Sequence, residues 1–243
     1  MVNTIIVTGC AKRIGFGIVD FYLKNSNYKI IGIVRKVSIS LNELQKEHPD
    51  RLELIIKDLN KDDLDINFFK TIIKNNTEIK GFIHCASNLL FDEIHNFTSE
   101  NLKSQNRIHY EVFNEAFLAY LEIAKKNNIK SVASFINFGD FKVSNGQNVG
   151  ISYTHSKLLA INSIKEQSKK GLGYIRVNMV SPGYTLPTEG YDENFEKIVA
   201  NFPFKYTSSI LDICETVDFL IQQRSVTGQH IVVDAGAGLI ENI

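Results

Sequence analysis

The chain has 243 residues, 44% hydrophobic and 22% charged, and its 27 Lys and Arg residues balance 27 Asp and Glu residues. This composition is that of a globular protein, and the balanced charge argues against nucleic acid or an anionic membrane as a partner. No apolar run approaches the roughly 18 residues of a membrane helix, and the N-terminal segment lacks the pattern of a signal peptide. The three cysteines form neither a CxxC pair nor a zinc spacing, so we expect free thiols, no metal site and a cytoplasmic protein.

Short apolar runs alternate with segments of helical period along the whole chain. Buried strands are predicted at Ile5–Val7, Ile30–Val34, Leu52–Ile56, Gly81–His84, Val132–Phe138, Ile175–Met179 and Ile231–Val233, and helices near residues 13–24, 41–47, 62–74, 99–127, 152–170 and 209–222. This alternation predicts the α/β class. We expect a single domain over residues 1–243, with a doubly wound, mainly parallel sheet and helices on both faces.

Residues 183–206 interrupt this alternation with Gly183, Pro187, Gly190, Pro203 and several aromatic side chains. Long irregular segments of this kind are often active-site covers. We therefore predict that the segment lies over a substrate. The alternative is a surface loop whose aromatic side chains pack onto the core.

A glycine-rich turn joins the first predicted strand to the first predicted helix, with the sequence Thr8-Gly9-Cys10-Ala11-Lys12-Arg13-Ile14-Gly15-Phe16-Gly17. Glycine permits a tight turn and a close approach of the backbone to a ligand. The helix that follows presents free N–H groups and the positive end of its dipole to a phosphate. This position in the chain favours a nucleotide site, in a Rossmann-type sheet, over a purely structural turn.

The pattern Thr-Gly-x-x-x-x-Gly-x-Gly resembles the short-chain dehydrogenase/reductase family. Further matches in the same order extend the resemblance through nearly the whole chain: Asp58-Leu59, His84-Cys85-Ala86-Ser87, Arg176-Val177-Asn178, Ser181-Pro182-Gly183, Thr227-Gly228-Gln229 and Val233-Asp234-Ala235-Gly236. The resemblance implies a nicotinamide cofactor, and a homodimer or homotetramer formed through the helices near 99–127 and 152–170. It places the cofactor at Thr8, Gly9, Arg13, Ile14, Gly15, Asp58, Leu59, Ala86, Ser87, Lys157, Pro182 and Gly183.

The residues after the second predicted strand indicate which cofactor is used. NAD-preferring enzymes carry an acid there that binds the adenosine ribose and would repel the extra phosphate of NADP. In this chain the strand ends in Arg35-Lys36, and Lys12 and Arg13 occupy the turn expected beside it. Guanidinium groups bind phosphate with paired hydrogen bonds. The two basic pairs therefore predict NADP(H), although a solvated basic turn is the alternative.

Tyr153-Thr154-His155-Ser156-Lys157 places Tyr153 and Lys157 on one face of a predicted helix. A nearby ammonium favours the phenolate and lowers the pKa of a tyrosine from about 10 toward the working range. The family resemblance makes this pair catalytic, with Tyr153 giving the proton and Lys157 lowering its pKa and holding the nicotinamide ribose. The alternative is a surface pair.

Asp140 stands thirteen positions before Tyr153, where the family has a serine. Together with Lys12-Arg13-Ile14-Gly15 and Ala86-Ser87, this aspartate resembles the pteridine reductases and the related dihydromonapterin/dihydrofolate reductases. Reduction of a C=N bond needs hydride at carbon and a proton at nitrogen, and a shielded carboxyl group can act in a proton relay. The alternative role for Asp140 is to cap backbone N–H groups at the start of a loop.

Other positions depart from the family pattern. Leu89 replaces the aromatic residue that stacks on the pterin in many pteridine reductases. Glu111 stands at the expected place of a helix Asn, where it would pair with Lys157, bind the relay water or alter the relay. Cys85 replaces an Asn that braces the central strands. We expect His109 and His155 to be structural or solvent-facing, and no sequence feature indicates a lowered thiol pKa for Cys10.

The sequence thus predicts an NADPH-dependent reductase that transfers hydride to a C=N or C=O carbon of a small molecule, such as a pterin. Substrate contacts are expected at Leu89, Phe91 and Tyr184, and the catalytic groups are Tyr153, Lys157 and Asp140. A carbonyl reductase for a 3-oxoacyl or sugar substrate is one alternative. A non-catalytic NADP(H) sensor is another.

Overall fold

The computed structural model describes residues 3–61, 64–76, 78–187 and 195–240. Within these ranges seven strands form one parallel sheet in the order β3-β2-β1-β4-β5-β6-β7. The strands are β1 (Asn3–Thr8), β2 (Lys29–Val34), β3 (Leu52–Ile56), β4 (Glu78–His84), β5 (Ala133–Phe138), β6 (Ile175–Pro182) and β7 (His230–Val233). Every predicted strand is present, and the doubly wound α/β prediction is confirmed.

The helices are α1 (Arg13–Asn25), α2 (Ile39–Glu47), α3 (Ile66–Lys74), α4 (Ser99–Asn106), α5 (Val112–Lys126), α6 (Phe141–Ser144), α7 (Ile151–Gly171), α8 (Phe195–Ala200) and α9 (Ile210–Gln222). The segment predicted as one helix over 99–127 is α4 and α5 joined by a π-helical turn, Arg107–Glu111. The helix predicted from residue 62 begins at Ile66, because the Asp65 carboxylate accepts the N–H of Asn67 as an N-cap. The short helices α6 and α8 were not predicted, since neither is long enough to show a helical period.

Successive side chains of a strand point to opposite faces of the sheet, and helices bury both faces. In β1, Ile6 packs with Phe82, Phe113 and Phe135 against α5 and α7, whereas Ile5 packs on the other face with residues of α1 and α9. Two apolar layers therefore hold the sheet in place. No helix in the described part of the chain is both long enough and apolar enough to cross a membrane.

Two of the matched segments fix the C-terminal half of the sheet. The Arg176 guanidinium donates to the carbonyl oxygens of Leu220 and Ile221 at the end of α9. Asn178 donates to the carbonyl oxygen of Val226 and accepts the N–H of Gln229. The Arg176 bonds satisfy carbonyl groups that the end of α9 leaves without intrahelical partners, and the Asn178 bonds hold the segment before β7 against β6.

The strand order reverses between β1 and β4, which are hydrogen-bonded neighbours although β2 and β3 lie between them in the chain. At such a reversal the connections leave the sheet in opposite directions and open a crevice at the carboxyl ends of the strands. The fold therefore places a ligand site beyond Thr8 and His84, the last residues of these two strands.

Candidate active site

A cleft of about 1080 Å³ opens at this position. This is slightly above the roughly 300–1,000 Å³ typical of small-molecule sites, so the cleft can hold a large ligand. Most of the sequence-predicted site residues line it: Gly9, Arg13, Ile14, Gly15, Arg35, Lys36, Asp58, Leu59, Ala86, Ser87, Leu89, Phe91, Tyr153, Lys157 and Pro182. Its lining does not include Thr8, Asp140, Gly183 or Tyr184.

The glycine-rich turn is packed so tightly that side chains are excluded from it. Gly9 has φ +70°, and a Cβ there would lie 2.5 Å from the Cα of Ala86. A Cβ on Gly15 would lie 2.4 Å from the carbonyl oxygen of Gly9. Helix α1 then starts without a side-chain cap. The first N–H groups of α1 thus begin at the cleft wall, where an anion can accept their hydrogen bonds.

Basic side chains surround the end of β2. Arg35 and Lys36 are exposed in the cleft, and among the described residues neither contacts a carboxylate. Lys57, which follows β3, lines the same cleft and was not identified from the sequence. Arg13 donates to the carbonyl oxygens of Pro187 at 2.8 Å and Leu186 at 3.3 Å. Arg13 therefore ties the start of segment 183–206 to the glycine-rich turn.

Tyr153, Lys157 and Asp140 meet at the end of β5. The Tyr153 hydroxyl donates to Asp140 Oδ2 at 3.0 Å, and Lys157 Nζ donates to the carbonyl oxygen of Phe138 at 2.9 Å. Asp140 Oδ1 also accepts N–H groups of the first turn of α6 as its N-cap. One oxygen of this carboxylate therefore caps α6, and the other accepts the Tyr153 hydroxyl.

Burial shifts the pKa values of Lys157 and Tyr153. It lowers the pKa of Lys157 to about 8, against the opposing effect of the Asp140 carboxylate. Burial and the same carboxylate raise the pKa of Tyr153 well above its ordinary value. We expected Lys157 to lower the pKa of Tyr153, and the balance is the opposite. Lys157 Nζ lies 5.6 Å from the ring centroid of Tyr153 and bonds elsewhere. Tyr153 is thus a neutral phenol at neutral pH.

Of the three roles considered for Glu111, the pairing with Lys157 is absent from the described structure. Glu111 pairs instead with Arg107 at 3.5 Å, and its side chain is 46% exposed. The residue that faces α7 from this π-helical turn is His109, whose ring lies edge-on to that of Tyr153 with centroids 5.2 Å apart. No sequence signal identified His109, because its partners lie far away in the chain. His155, by contrast, is exposed.

The His84 side chain connects the central strands, the role expected of an Asn at the position of Cys85. Its Nε2 lies 2.7 Å from the carbonyl oxygen of Ile108, and its Nδ1 lies 2.8 Å from Thr8 Oγ1. A carbonyl only accepts, so Nε2 carries the hydrogen. Burial lowers the pKa of His84 to about 4, which keeps the ring neutral and leaves Nδ1 to accept from Thr8. One side chain therefore joins β1, β4 and the π-helical turn.

The thiols near the cleft are not activated. Burial raises the pKa of Cys10 to about 12 and raises that of Cys85 well above its ordinary value. The thiolate is the reactive form of cysteine. Neither residue therefore has the environment of a nucleophile.

The predicted substrate residues separate into two places. Leu89 and Phe91 stand on the cleft wall with 43% and 56% of their surface exposed. Tyr184 instead packs between Phe141 and Phe202, with ring centroids 5.2 and 5.5 Å away. In the predicted cover, residues 188–194 lie outside the described residues. The described remainder includes helix α8 and the fully buried Phe202, so part of the segment packs on the core.

Comparison with known protein families agrees with the resemblance seen in the sequence. A family model described as Enoyl-(Acyl carrier protein) reductase matches residues 9–238. The chain belongs to the short-chain dehydrogenase/reductase family. It is therefore an oxidoreductase, and the resemblance noted in the sequence is confirmed.

Individual relatives of this short-chain dehydrogenase/reductase are distant. A dihydromonapterin reductase of Klebsiella pneumoniae is 23% identical over 239 residues, which are 97% of this chain and 96% of that protein. The structure of FolM alternative dihydrofolate reductase 1 from Brucella canis, complexed with NADP, has a TM-score of 0.83 at 22% identity over 100% of this chain and 96% of that chain. A 4-hydroxyisoleucine dehydrogenase complexed with NADH has a TM-score of 0.84 at 19% identity over 98% and 100%. At such identities the structures show a shared fold, and the cofactor must be argued from the residues.

Proposed function

We propose that the chain is an NADPH-dependent reductase that transfers hydride to the carbon of a C=N bond in a small heterocycle, with a dihydropterin as the leading substrate. The observation that carries this proposal is the 3.0 Å hydrogen bond from the Tyr153 hydroxyl to Asp140, beside the buried Lys157. The names of two relatives, dihydromonapterin reductase and alternative dihydrofolate reductase, support the same class of substrate.

The cleft fits NADPH at several points. Gly9 and Gly15 line the cleft, and a Cβ on either would collide with neighbouring backbone atoms, so the turn presents backbone and no side chain to a pyrophosphate at these two positions. Arg35 and Lys36 provide positive charge for the 2′-phosphate, and the NADP bound to the Brucella canis relative supports this choice. The remaining cofactor contacts that we propose are Arg13, Ile14, Asp58, Leu59, Ala86, Ser87, Lys157 and Pro182. Thr8 and Gly183, which the sequence also predicted, do not line the cleft, and Thr8 is fully buried. When bound, NADPH supplies the hydride.

The protein supplies the proton. Tyr153 gives its hydroxyl hydrogen to the substrate nitrogen while the neighbouring carbon gains hydride. Asp140 holds the phenol in place and keeps it protonated until the substrate accepts the hydrogen, because the nearby carboxylate disfavours a phenolate. The Lys157 ammonium stabilises the phenolate that proton transfer leaves behind. Asp140 then returns a proton from solvent to Tyr153.

The apolar wall of the cleft can contact a flat ring through Leu89 and Phe91. A leucine covers less of a ring face than an aromatic side chain, so a carbonyl reductase for a 3-oxoacyl or sugar substrate is the second candidate function. The Tyr153–Asp140 bond argues against a binding-only NADP(H) sensor, which has no need of a proton donor.

We also propose a single-domain, cytoplasmic homodimer or homotetramer that contacts its copies through α4, α5 and α7. Leu118 on α5 and Leu158 on α7 leave 39% and 40% of their surface exposed on these helices. The free thiols of Cys10, Cys85 and Cys214 are typical of a reducing compartment.

The experiment that tests this function follows NADPH oxidation by purified protein with a dihydropterin, and in parallel with a 3-oxoacyl thioester. We expect turnover of the dihydropterin and a loss of at least about 100-fold in Tyr153→Phe, whose missing hydroxyl removes the proton donor. Turnover of the thioester alone would favour the second candidate. Tight NADPH binding with no turnover of either would contradict the proposal.

A further inference from the structure

His109 connects the cleft to the catalytic helix through two hydrogen bonds. His109 is 1% exposed, with Nδ1 2.8 Å from Ser156 Oγ and Nε2 2.8 Å from Ser87 Oγ. Ser156 lies on α7 one turn after Tyr153, whereas Ser87 follows β4 and is exposed to the cleft. Both ring nitrogens therefore have one partner each, on different elements.

The positions of the hydrogens in the series Ser87, His109 and Ser156 follow from the hydrogen bond that Ser156 donates. The Ser156 hydroxyl donates to the main-chain carbonyl oxygen of Tyr153 at 2.7 Å, because a carbonyl can only accept. That bond uses the single hydrogen of Ser156, so the hydrogen between Ser156 and His109 must belong to Nδ1. Burial and the positive charge of Lys157 lower the pKa of His109 well below its ordinary value, so the ring is neutral. A neutral imidazole with a protonated Nδ1 has a bare Nε2.

Ser87 must then donate its only hydrogen to His109. Its oxygen keeps lone pairs and no hydrogen for a ligand in the cleft. We propose that His109 is a positioning residue that fixes the Ser87 hydroxyl as a hydrogen-bond acceptor, so that this position selects a ligand group carrying N–H or O–H. Such a group is a ring N–H or amino group of a nitrogen heterocycle, or a hydroxyl or carboxamide of the cofactor. A phosphate or carbonyl oxygen is disfavoured, because two acceptors would face each other.

This inference deepens the proposed reductase function and rests on it only for the identity of the ligands. His84 provides an internal comparison, since its hydrogen bonds require the opposite tautomer, with Nε2 protonated and Nδ1 bare. Two neutral histidines, buried near each other on β4 and the π-helical turn, are therefore expected to differ in which nitrogen carries the hydrogen.

The first test is a long-range proton–nitrogen NMR spectrum of the histidine side chains in the intact protein, with the His109 signals assigned by their absence in His109→Asn. We expect a protonated Nδ1 and a bare Nε2 for His109, and the reverse for His84. A protonated Nε2 in His109 would overturn the proposal. The measurement needs no turnover, so this tautomer in a protein inactive toward pterins would remove the proposed function and leave the inference in place.

The second test is a double-mutant cycle with Ser87→Ala and His109→Asn, measured as the Kd for NADPH and the KM for the dihydropterin. Asn reaches the Ser156 side of the site and is too short to orient Ser87. We expect Ser87→Ala to raise one of the two constants about tenfold, the effect of one hydrogen bond of about 1.4 kcal/mol. The affected constant identifies the ligand that carries the donor.

The double variant is expected to bind no worse than Ser87→Ala alone, because His109 acts through the hydroxyl that is already absent. His109→Gln, which can still reach Ser87, should recover part of the loss. Losses that add in the double variant would show a general structural role for His109 and overturn the proposal. Unchanged constants in Ser87→Ala would also overturn it.

Discussion

Asp140→Asn separates the two roles that the structure gives to one carboxylate. The amide oxygen of Asn can still accept the N–H groups of Lys142 and Val143, which lie 2.8 and 3.1 Å from Asp140 Oδ1. The amide nitrogen then replaces Oδ2 beside the Tyr153 hydroxyl, so the negative charge and the proton-carrying group are lost together.

The expected consequences differ for stability and activity. Asn and Asp are nearly equal as N-caps, so the free energy of unfolding should change by less than about 0.5 kcal/mol. Loss of a proton-relay group lowers kcat by about 100-fold or more. Removing the carboxylate also lowers the pKa of Tyr153 and of Lys157, since Asp140 raises both. In the pH profile of Asp140→Asn, the loss of activity on the alkaline side should therefore begin at a lower pH than in the wild type.

The assay measures kcat for NADPH oxidation from pH 6 to pH 10, beside urea unfolding at pH 7. Asp140→Ala is the matched control, because it loses the cap as well and should cost about 1 kcal/mol of stability. A kcat in Asp140→Asn equal to that of the wild type across this range would refute the reasoning. Asp140 would then be a helix cap alone.

Three other changes test separate parts of the site. Replacing Arg35 and Lys36 together by Ala should weaken NADPH binding by about 100-fold and leave NADH binding unchanged, since charged hydrogen bonds contribute about 1.5–3 kcal/mol each. Lys46→Ala, at an exposed position of α2, is the control. Equal losses of affinity for both cofactors would contradict the assignment of Arg35 and Lys36 to the 2′-phosphate. Gly15→Ala should abolish NADPH binding in a fluorescence titration, because its Cβ would lie 2.4 Å from the Gly9 oxygen; normal affinity would show that the turn can open. Lys157→Met should be inactive yet more stable than the wild type at pH 7 by about 2–3 kcal/mol, since a buried ammonium is costly. The pKa of Lys157, about 8 in the fold, lies below its unfolded value, so the unfolded chain binds more protons above pH 8 and the wild type gains stability as pH rises. In urea unfolding, the difference in the free energy of unfolding between Lys157→Met and the wild type should therefore be smaller at pH 9 than at pH 7. An equal difference at both pH values would contradict the lowered pKa of Lys157.

Local patterns in the sequence were sufficient to predict the sheet and the order of its elements. The apolar strands and the glycine-rich turn are short-range signals, and their positions in the chain determine where the cleft opens. The π-helical turn at Arg107–Glu111 has no such signal. Its wider turn changes which side chain faces α7, so His109 lies beside Tyr153 and the pairing of Glu111 with Lys157, one of the alternatives from the sequence, does not form.

The histidine contacts could not be predicted for a different reason. His84 meets Thr8 across 76 positions of the chain, and His109 meets Ser156 across 47. No periodicity relates residues at such separations, and only the packed sheet brings them together. The same holds for the pKa of Tyr153, whose direction depends on how deeply the ring is buried and on the carboxylate at its hydroxyl.

The central claim is that hydride passes from NADPH to a C=N carbon while Tyr153 supplies the proton. It is tested most directly with NADPH deuterated at the transferable position of the nicotinamide, a dihydropterin, and mass spectrometry of the product. The account predicts one deuterium at the reduced carbon with the wild type, and labelled product formed at least about 100-fold more slowly with Tyr153→Phe at matched NADPH occupancy. Labelled product formed equally fast by the variant would contradict the role of Tyr153, and an unlabelled product would contradict hydride transfer from this cofactor.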